Sequence, residues 1–253
     1  MSELPAFSPI EFIDEPSTDN IPKDVKEVID RVAQSFLRLH GDKLVSVYAH
    51  GSTVRGDFDQ TVSDIDLAII TSEAGDSQEL IDEEGQLLAR LGADSEYRLD
   101  ISTRDIQEFE AGSRPMNAAI LAASGACVYG QEINFANFAP TDRLEFVEAV
   151  TTFYLREQDI VRSLDLKERE SKSVRRIQKF TVRVLFALAV LEGAPFTTSR
   201  PKQLGLIQEY APTYSISAED TYRAIESGVQ SFDDAFNVYS KACDSLRALL
   251  AQE

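Results

Sequence analysis

The 253-residue chain has no tryptophan, two cysteines, two histidines and two methionines. Cys127 and Cys243 stand alone, with neither the spacing of a metal-ligand set nor the density of a disulfide framework. They read as core thiols of a protein kept in a reducing compartment, and a cytoplasmic location is expected. No apolar run approaches the roughly eighteen residues of a membrane-spanning helix. The first residues, Met1-Ser2-Glu3-Leu4-Pro5, are acidic and lack the basic-then-apolar layout of a secretory signal. No internal repeat and no low-complexity tract is present. Basic charge is also scarce: the formal net charge is −18. That argues against nucleic acid as a partner, because affinity for the phosphate backbone rests on basic surface.

What is present is unevenly spread. Residues 1–140 carry 26 acids and 10 bases, a net of −16; residues 141–253 carry 17 and 15, a net of −2. Hydrophobic residues make up 43%, enough for a sizeable core, and the length is comfortable for two domains. Residues 1–21, with Pro5, Pro9, Pro16 and Asn20, read as an irregular arm. Pro22 opens a helix to about His40, with Val25, Val28, Ile29, Val32 and Phe36 at helical spacing and Gly41 as the stop. Strands follow at 44–49, 64–70, around Asp100 and at 127–129, with helices at 78–91 and 115–123. From Pro140-Thr141 onward the pattern is helical throughout: 142–165, 168–192, 201–210, 218–229 and 231–251. The expected fold is α+β, a mixed sheet with helices over 22–140 and an all-α bundle over 141–253.

The most informative stretch runs from Gly51-Ser52 to Asp64-Ile65-Asp66. The apolar run Val45–Ala49 leads into the Gly-Ser pair, and Leu67-Ala68-Ile69-Ile70 follows the two acids. Side chains alternate along a strand, so Asp64 and Asp66 leave one face, about 7 Å apart, while Ile65 points inward. Two carboxylates so placed repel, and a cation between them relieves the repulsion. Mg²⁺ takes oxygen ligands of this kind, one or two carboxylates plus substrate phosphates. The Gly-Ser turn can offer backbone N–H groups and a hydroxyl to a phosphate. Together these pieces describe a phosphate-and-metal site. A second feature is a basic stripe: Lys172, Arg176, Lys179 and Arg183 fall at i, i+4, i+7 and i+11 of one helix. A bound triphosphate needs such cations.

Gly51-Ser52…Asp64-Ile65-Asp66 resembles the signature of the DNA polymerase β-like nucleotidyltransferases, and Arg55 and Gly56 fit the common form of that turn. The resemblance implies a third carboxylate on a later strand, for which Asp100 in Tyr97-Arg98-Leu99-Asp100-Ile101-Ser102 is the candidate. It also implies two Mg²⁺ ions held by Asp64, Asp66 and Asp100, with ATP as nucleotide donor and Asp100 as general base. The helix with Arg183, then Gly193, then Ser199-Arg200-Pro201-Lys202 is similar to the helical domain of streptomycin/spectinomycin-type aminoglycoside adenylyltransferases. That similarity implies phosphate contacts from Arg183 and from Lys202 or Arg200, with Lys179 on the same stripe, and nucleotide contacts from Ser52 and Ser63.

The expected activity is transfer of AMP from ATP to a hydroxyl of a small-molecule acceptor, such as an aminoglycoside-like antibiotic. Two departures bear on that acceptor: the sequence has no tryptophan, and Lys172, Arg175 and Arg176 stand where acids would receive a polycation. A protein or RNA acceptor stays open. So does a catalytically idle module of antitoxin or sensor type, although the helical part has no Arg…His motif, since His40 and His50 are both in the first half.

Overall fold

The computed structural model describes residues 8–61, 63–73, 77–163, 171–227 and 231–251. The backbone separates into two compact units, one of residues 13–139 and one formed by residues up to 12 together with those from 140 onward. Each is taken separately below.

The first unit is built on α1 (Lys23–His40), β1 (Leu44–His50), a single helical turn α2 (Ser52–Arg55), β2 (Ile65–Thr71), α3 (Gln78–Asp94), β3 (Leu99–Asp105), a short α4 (Ile106–Glu110), α5 (Pro115–Ser124) and β4 (Ala126–Gly130). The four strands form one sheet in the order β3-β2-β1-β4. β1 pairs antiparallel with β2 and β4, and β2 pairs parallel with β3. The two central strands are apolar almost without interruption because both faces of the sheet are covered. On one face Val25, Ile29, Val32 and Phe36 of α1 pack against Val47, Ala49, Ile65, Leu67 and Ile69. On the other, Tyr48 meets Phe135, which in turn packs against Phe109. Burial raises the Tyr48 phenol to about 12, and its hydroxyl exchanges hydrogen bonds with the backbone of Ile133.

α1 starts behind Pro22 and stops at Gly41, whose φ of 57° no β-carbon-bearing residue adopts cheaply. Ser77 caps α3 by accepting from the Leu80 amide at 3.2 Å. β2 begins at Ile65, so Asp64 lies just before the strand and only Asp66 stands inside it. Neither α2 nor α4 was expected from the sequence.

The second unit is helical: α6 (Arg143–Ser163), α7 (Ser171–Leu191), α8 (Arg200–Tyr210), α9 (Ser215–Ser227) and α10 (Phe232–Leu250). The adjoining ends expected for α6 and α7 lie outside the described residues, as do the side chains of Lys172 and Arg175. α7 packs against the other four helices. Every position from Val184 to Leu191 is buried, as in a helix enclosed on all sides. Residues 8–12 are a strap on this unit. Pro9 and Phe12 form isolated bridges to Asp142 and Phe196, and Phe12 meets the Phe196 ring edge-on at 5.7 Å. The buried Arg143 guanidinium donates to Ser8 Oγ at 2.7 Å, to Val190 O at 2.9 Å and to Ala194 O. It thereby ties the last turn of α7 to the loop that follows it, Val190 O also accepting from the Gly193 amide at 3.1 Å. Among the described residues, no helix is long and apolar enough to cross a membrane.

Candidate active site

β1 ends at His50, and Gly51 turns the chain with φ 70° and ψ −146°. A β-carbon built on Gly51 would lie 2.5 Å from Asp66 Oδ2. Glycine is therefore needed twice, for the backbone angle and for the carboxylate that rests against the turn. The antiparallel register, with His50 opposite Asp66, brings the two together. α2 follows at once, the amides of Val54 and Arg55 returning to Gly51 O at 3.4 and 3.3 Å, and Gly56 at φ 86° ends it. Thr53 and Val54 are buried beneath the turn.

Three contacts hold this turn in place. Asn20 donates its amide to Val54 O at 2.8 Å. The Ser17 amide donates to the same carbonyl at 2.9 Å. The mostly buried Arg55 guanidinium pairs with Asp57 at 3.2 Å, so Arg55, which fits the common form of the turn, has a partner within its own loop. Ser63 likewise has one: its Oγ accepts from the Asp59 amide at 3.1 Å and its own amide donates to Asp59 O at 2.7 Å. The Thr61 hydroxyl, donating to Asp59, holds that carboxyl below its usual range.

The carboxylates are aligned by register. Asp66 and Asp100 are direct partners in the parallel β2–β3 pair, so their side chains leave one face of the sheet on strands about 4.8 Å apart. Asp66 is half-buried and Asp100 exposed. Asp64, one position ahead of the strand, pairs through Oδ1 with Arg98 Nε at 2.9 Å. The backbone anchors that corner, Ile65 N donating to Arg98 O at 2.8 Å. Arg98, Asn20 and Ser17 were not singled out in the sequence. Their roles depend on partners 34 or more positions away, and no local pattern marks them.

The donor set at this strand mouth is hard oxygen, the type that Mg²⁺ takes. Among the described residues, no three His, Cys, Asp or Glu side chains converge closely enough to hold an ion. Mg²⁺ commonly takes one or two carboxylates together with substrate phosphates, and Asp66 and Asp100, register partners on one face, are oxygen donors of that kind, while the Asp64 carboxylate engages Arg98.

In the helical unit, Arg183 is the one exposed position between Phe180 and Leu191 of α7, and Lys179 on the same stripe is half-buried. Arg176 lies over the Phe180 ring, 5.2 Å from its centroid. Lys202 is exposed in the first turn of α8, beside the half-buried Arg200. The buried Gln203 amide donates to Thr197 O at 2.8 Å and the Ser199 amide to Thr197 Oγ1 at 3.0 Å, which fixes the start of that helix.

No curated protein sequence matches the chain. Among solved structures, spectinomycin adenyltransferase AAD(9) from Enterococcus faecialis, with ATP and spectinomycin, is similar over 87% of this chain and 98% of its own, at 11% identity and a TM-score of 0.62. At that identity what is shared is the fold. A mutant of the toxin–antitoxin MntA-HpeT (19% identity, 53% of this chain and 93% of its own, TM-score 0.30) and a toxin–antitoxin with AMP-PNP (18%, 55% and 93%, 0.28) also align, too weakly to support any argument. Residues 29–122 match the nucleotidyltransferase domain family, and this stretch contains the glycine turn and all three carboxylates.

Proposed function

We propose that the chain is a Mg²⁺-dependent adenylyltransferase, moving AMP from ATP to a hydroxyl of a small-molecule acceptor and releasing pyrophosphate. The observation that carries this reading is the parallel register of Asp66 with Asp100, beside a glycine turn at which any β-carbon would collide with the Asp66 carboxylate. The acceptor class favoured is hydroxyl-bearing and aminoglycoside-like, in keeping with the −16 charge of the first 140 residues.

The reaction forms a bond from the acceptor oxygen to the α-phosphorus as the bond to the pyrophosphate oxygen breaks. Asp100, exposed to an incoming acceptor, takes the hydroxyl proton as general base. Asp64 and Asp66, with Asp100, are the residues that would hold two Mg²⁺ ions. When bound, these supply charge neutralisation and alignment of the attacking and leaving oxygens. Gly51 and Ser52 lend backbone and hydroxyl donors to the phosphates, and Ser63 adds a hydroxyl. Lys179, Arg183 and Lys202 of the helical unit are the cations assigned to the triphosphate.

The test is pyrophosphate release from ATP with a panel of hydroxyl-bearing acceptors, for wild type, Asp64→Asn and Asp66→Asn. Either substitution is expected to abolish release. Activity at a tenth or more of wild type in either variant would overturn the assignment. Nucleotide binding with no transfer to any acceptor would favour an idle module instead.

A further inference from the structure

The strand mouth contains its own cation. Arg98 is half-exposed, its partner Asp64 is about a quarter exposed, and the pair is therefore open to solvent and solutes. The pairing is set by the backbone: the Ile65–Arg98 hydrogen bond and the register of Ile65 with Leu99 place Arg98 at the entrance of β3, two residues before Asp100. Three carboxylates at one mouth repel one another, and Arg98 offsets part of that repulsion as the structure stands. A solvent-open pair of this kind is weak and can be exchanged, whereas breaking a fully buried one would strand a charge.

We infer that Arg98 is an internal counter-cation: it occupies the Asp64 carboxylate until a divalent cation displaces it, and its guanidinium then turns to the phosphates of the incoming triphosphate. Metal and nucleotide consequently bind cooperatively, since each favours the arrangement in which Asp64 faces metal and Arg98 faces phosphate. This assignment rests on the nucleotidyl-transfer reading above. It adds a positioning residue whose effect appears in binding, without turnover.

The experiment is calorimetric titration of the full chain with Mn²⁺ alone, and with the α,β-methylene analogue of ATP in the presence and absence of Mn²⁺. It compares wild type, Arg98→Gln, Arg98→Lys and Asp66→Asn. Arg98→Gln is expected to bind Mn²⁺ alone about two- to fivefold tighter, the span set by a solvent-open ion pair. The factor by which Mn²⁺ improves analogue binding should shrink in that variant, and Arg98→Lys should restore part of it. Thermal melts of the metal-free proteins establish that each variant is folded. If Arg98→Gln binds Mn²⁺ no tighter than wild type, or leaves the metal–nucleotide coupling unchanged, the counter-cation role is overturned while nucleotidyl transfer stands. If wild type binds neither Mn²⁺ nor the analogue, the nucleotidyl-transfer reading is overturned and the role of Arg98 with it.

Discussion

At Gly51 the absence of a side chain makes room for one carboxylate, and the consequence can be stated for a single methyl group. Gly51→Ala would place a carbon 2.5 Å from Asp66 Oδ2 on a backbone with φ 70°. The left-handed angle costs roughly 1–2 kcal/mol for a residue with a β-carbon, and the contact must be relieved by moving either the turn or Asp66. A shift of about 1 Å in a reacting group can cost on the order of 100-fold in rate. Gly51→Ala is thus expected to remain folded, melt several degrees lower and lose about 100-fold or more in kcat. Steady-state kinetics beside a thermal melt checks both. A variant with near-normal kcat would show that the contact between turn and carboxylate is incidental. Asp66 itself was legible because its neighbours are apolar and its spacing from Asp64 is two. That it faces Asp100 was not, because the register between β2 and β3 is set by the whole length of the parallel pair.

At the scale of elements, much of the architecture followed from periodicity. α1 and α10 announce themselves by apolar spacing, and β1 and β2 by continuous apolar runs between turn residues. What escaped was everything held by single long-range bonds. α2 is four residues long and owes its place to Asn20 and Ser17, both bonded to Val54 O. Residues 8–12, which read as irregular, are ordered by isolated bridges and by Arg143, none of which leaves a period in the sequence. Asn20→Ala removes one partly buried hydrogen bond, so about 1 kcal/mol of stability should be lost. Because that bond holds the turn carrying Ser52, KM for ATP should rise more than kcat falls. An unchanged KM would mean that the remaining Ser17 bond suffices.

A second clamp joins three elements. Glu84 of α3 lies 3.6 Å from His40 at the end of α1 and accepts the Thr103 hydroxyl of β3. The His40 contact is the main reason that the Glu84 carboxyl is held below its ordinary 4.5, with the Thr103 hydroxyl adding to it against the opposing effect of burial. A carboxyl lowered by folding adds stability that is full above its unfolded value and is lost as pH falls through its folded one. Stability should accordingly decline below about pH 4.5, and Glu84→Gln should flatten that decline while leaving the neutral-pH melt lower than wild type. Melting temperatures at pH 7 and across pH 5 to 3 for both proteins measure it; parallel curves would remove Glu84 from the account.

For the molecule as a whole, the charge distribution sets what can approach. Residues 1–140 carry −16 and residues 141–253 carry −2. A field of that size repels free ATP and attracts cations, over a Debye length of about 10 Å at 0.1 M salt. Under the proposed function, the acidic first unit would admit a nucleotide with its charge reduced by Mg²⁺, with Arg98 as a local cation, and would draw in a cationic acceptor. Raising ionic strength tenfold from about 0.05 M should therefore raise KM for a cationic acceptor by about threefold or more, and leave KM for a neutral hydroxyl acceptor nearly unchanged. Initial rates against both acceptor types at the two salt levels decide it. If the cationic acceptor shows no salt dependence, the acidic surface does not steer it, and the acceptor must be recognised by shape and hydrogen bonding instead.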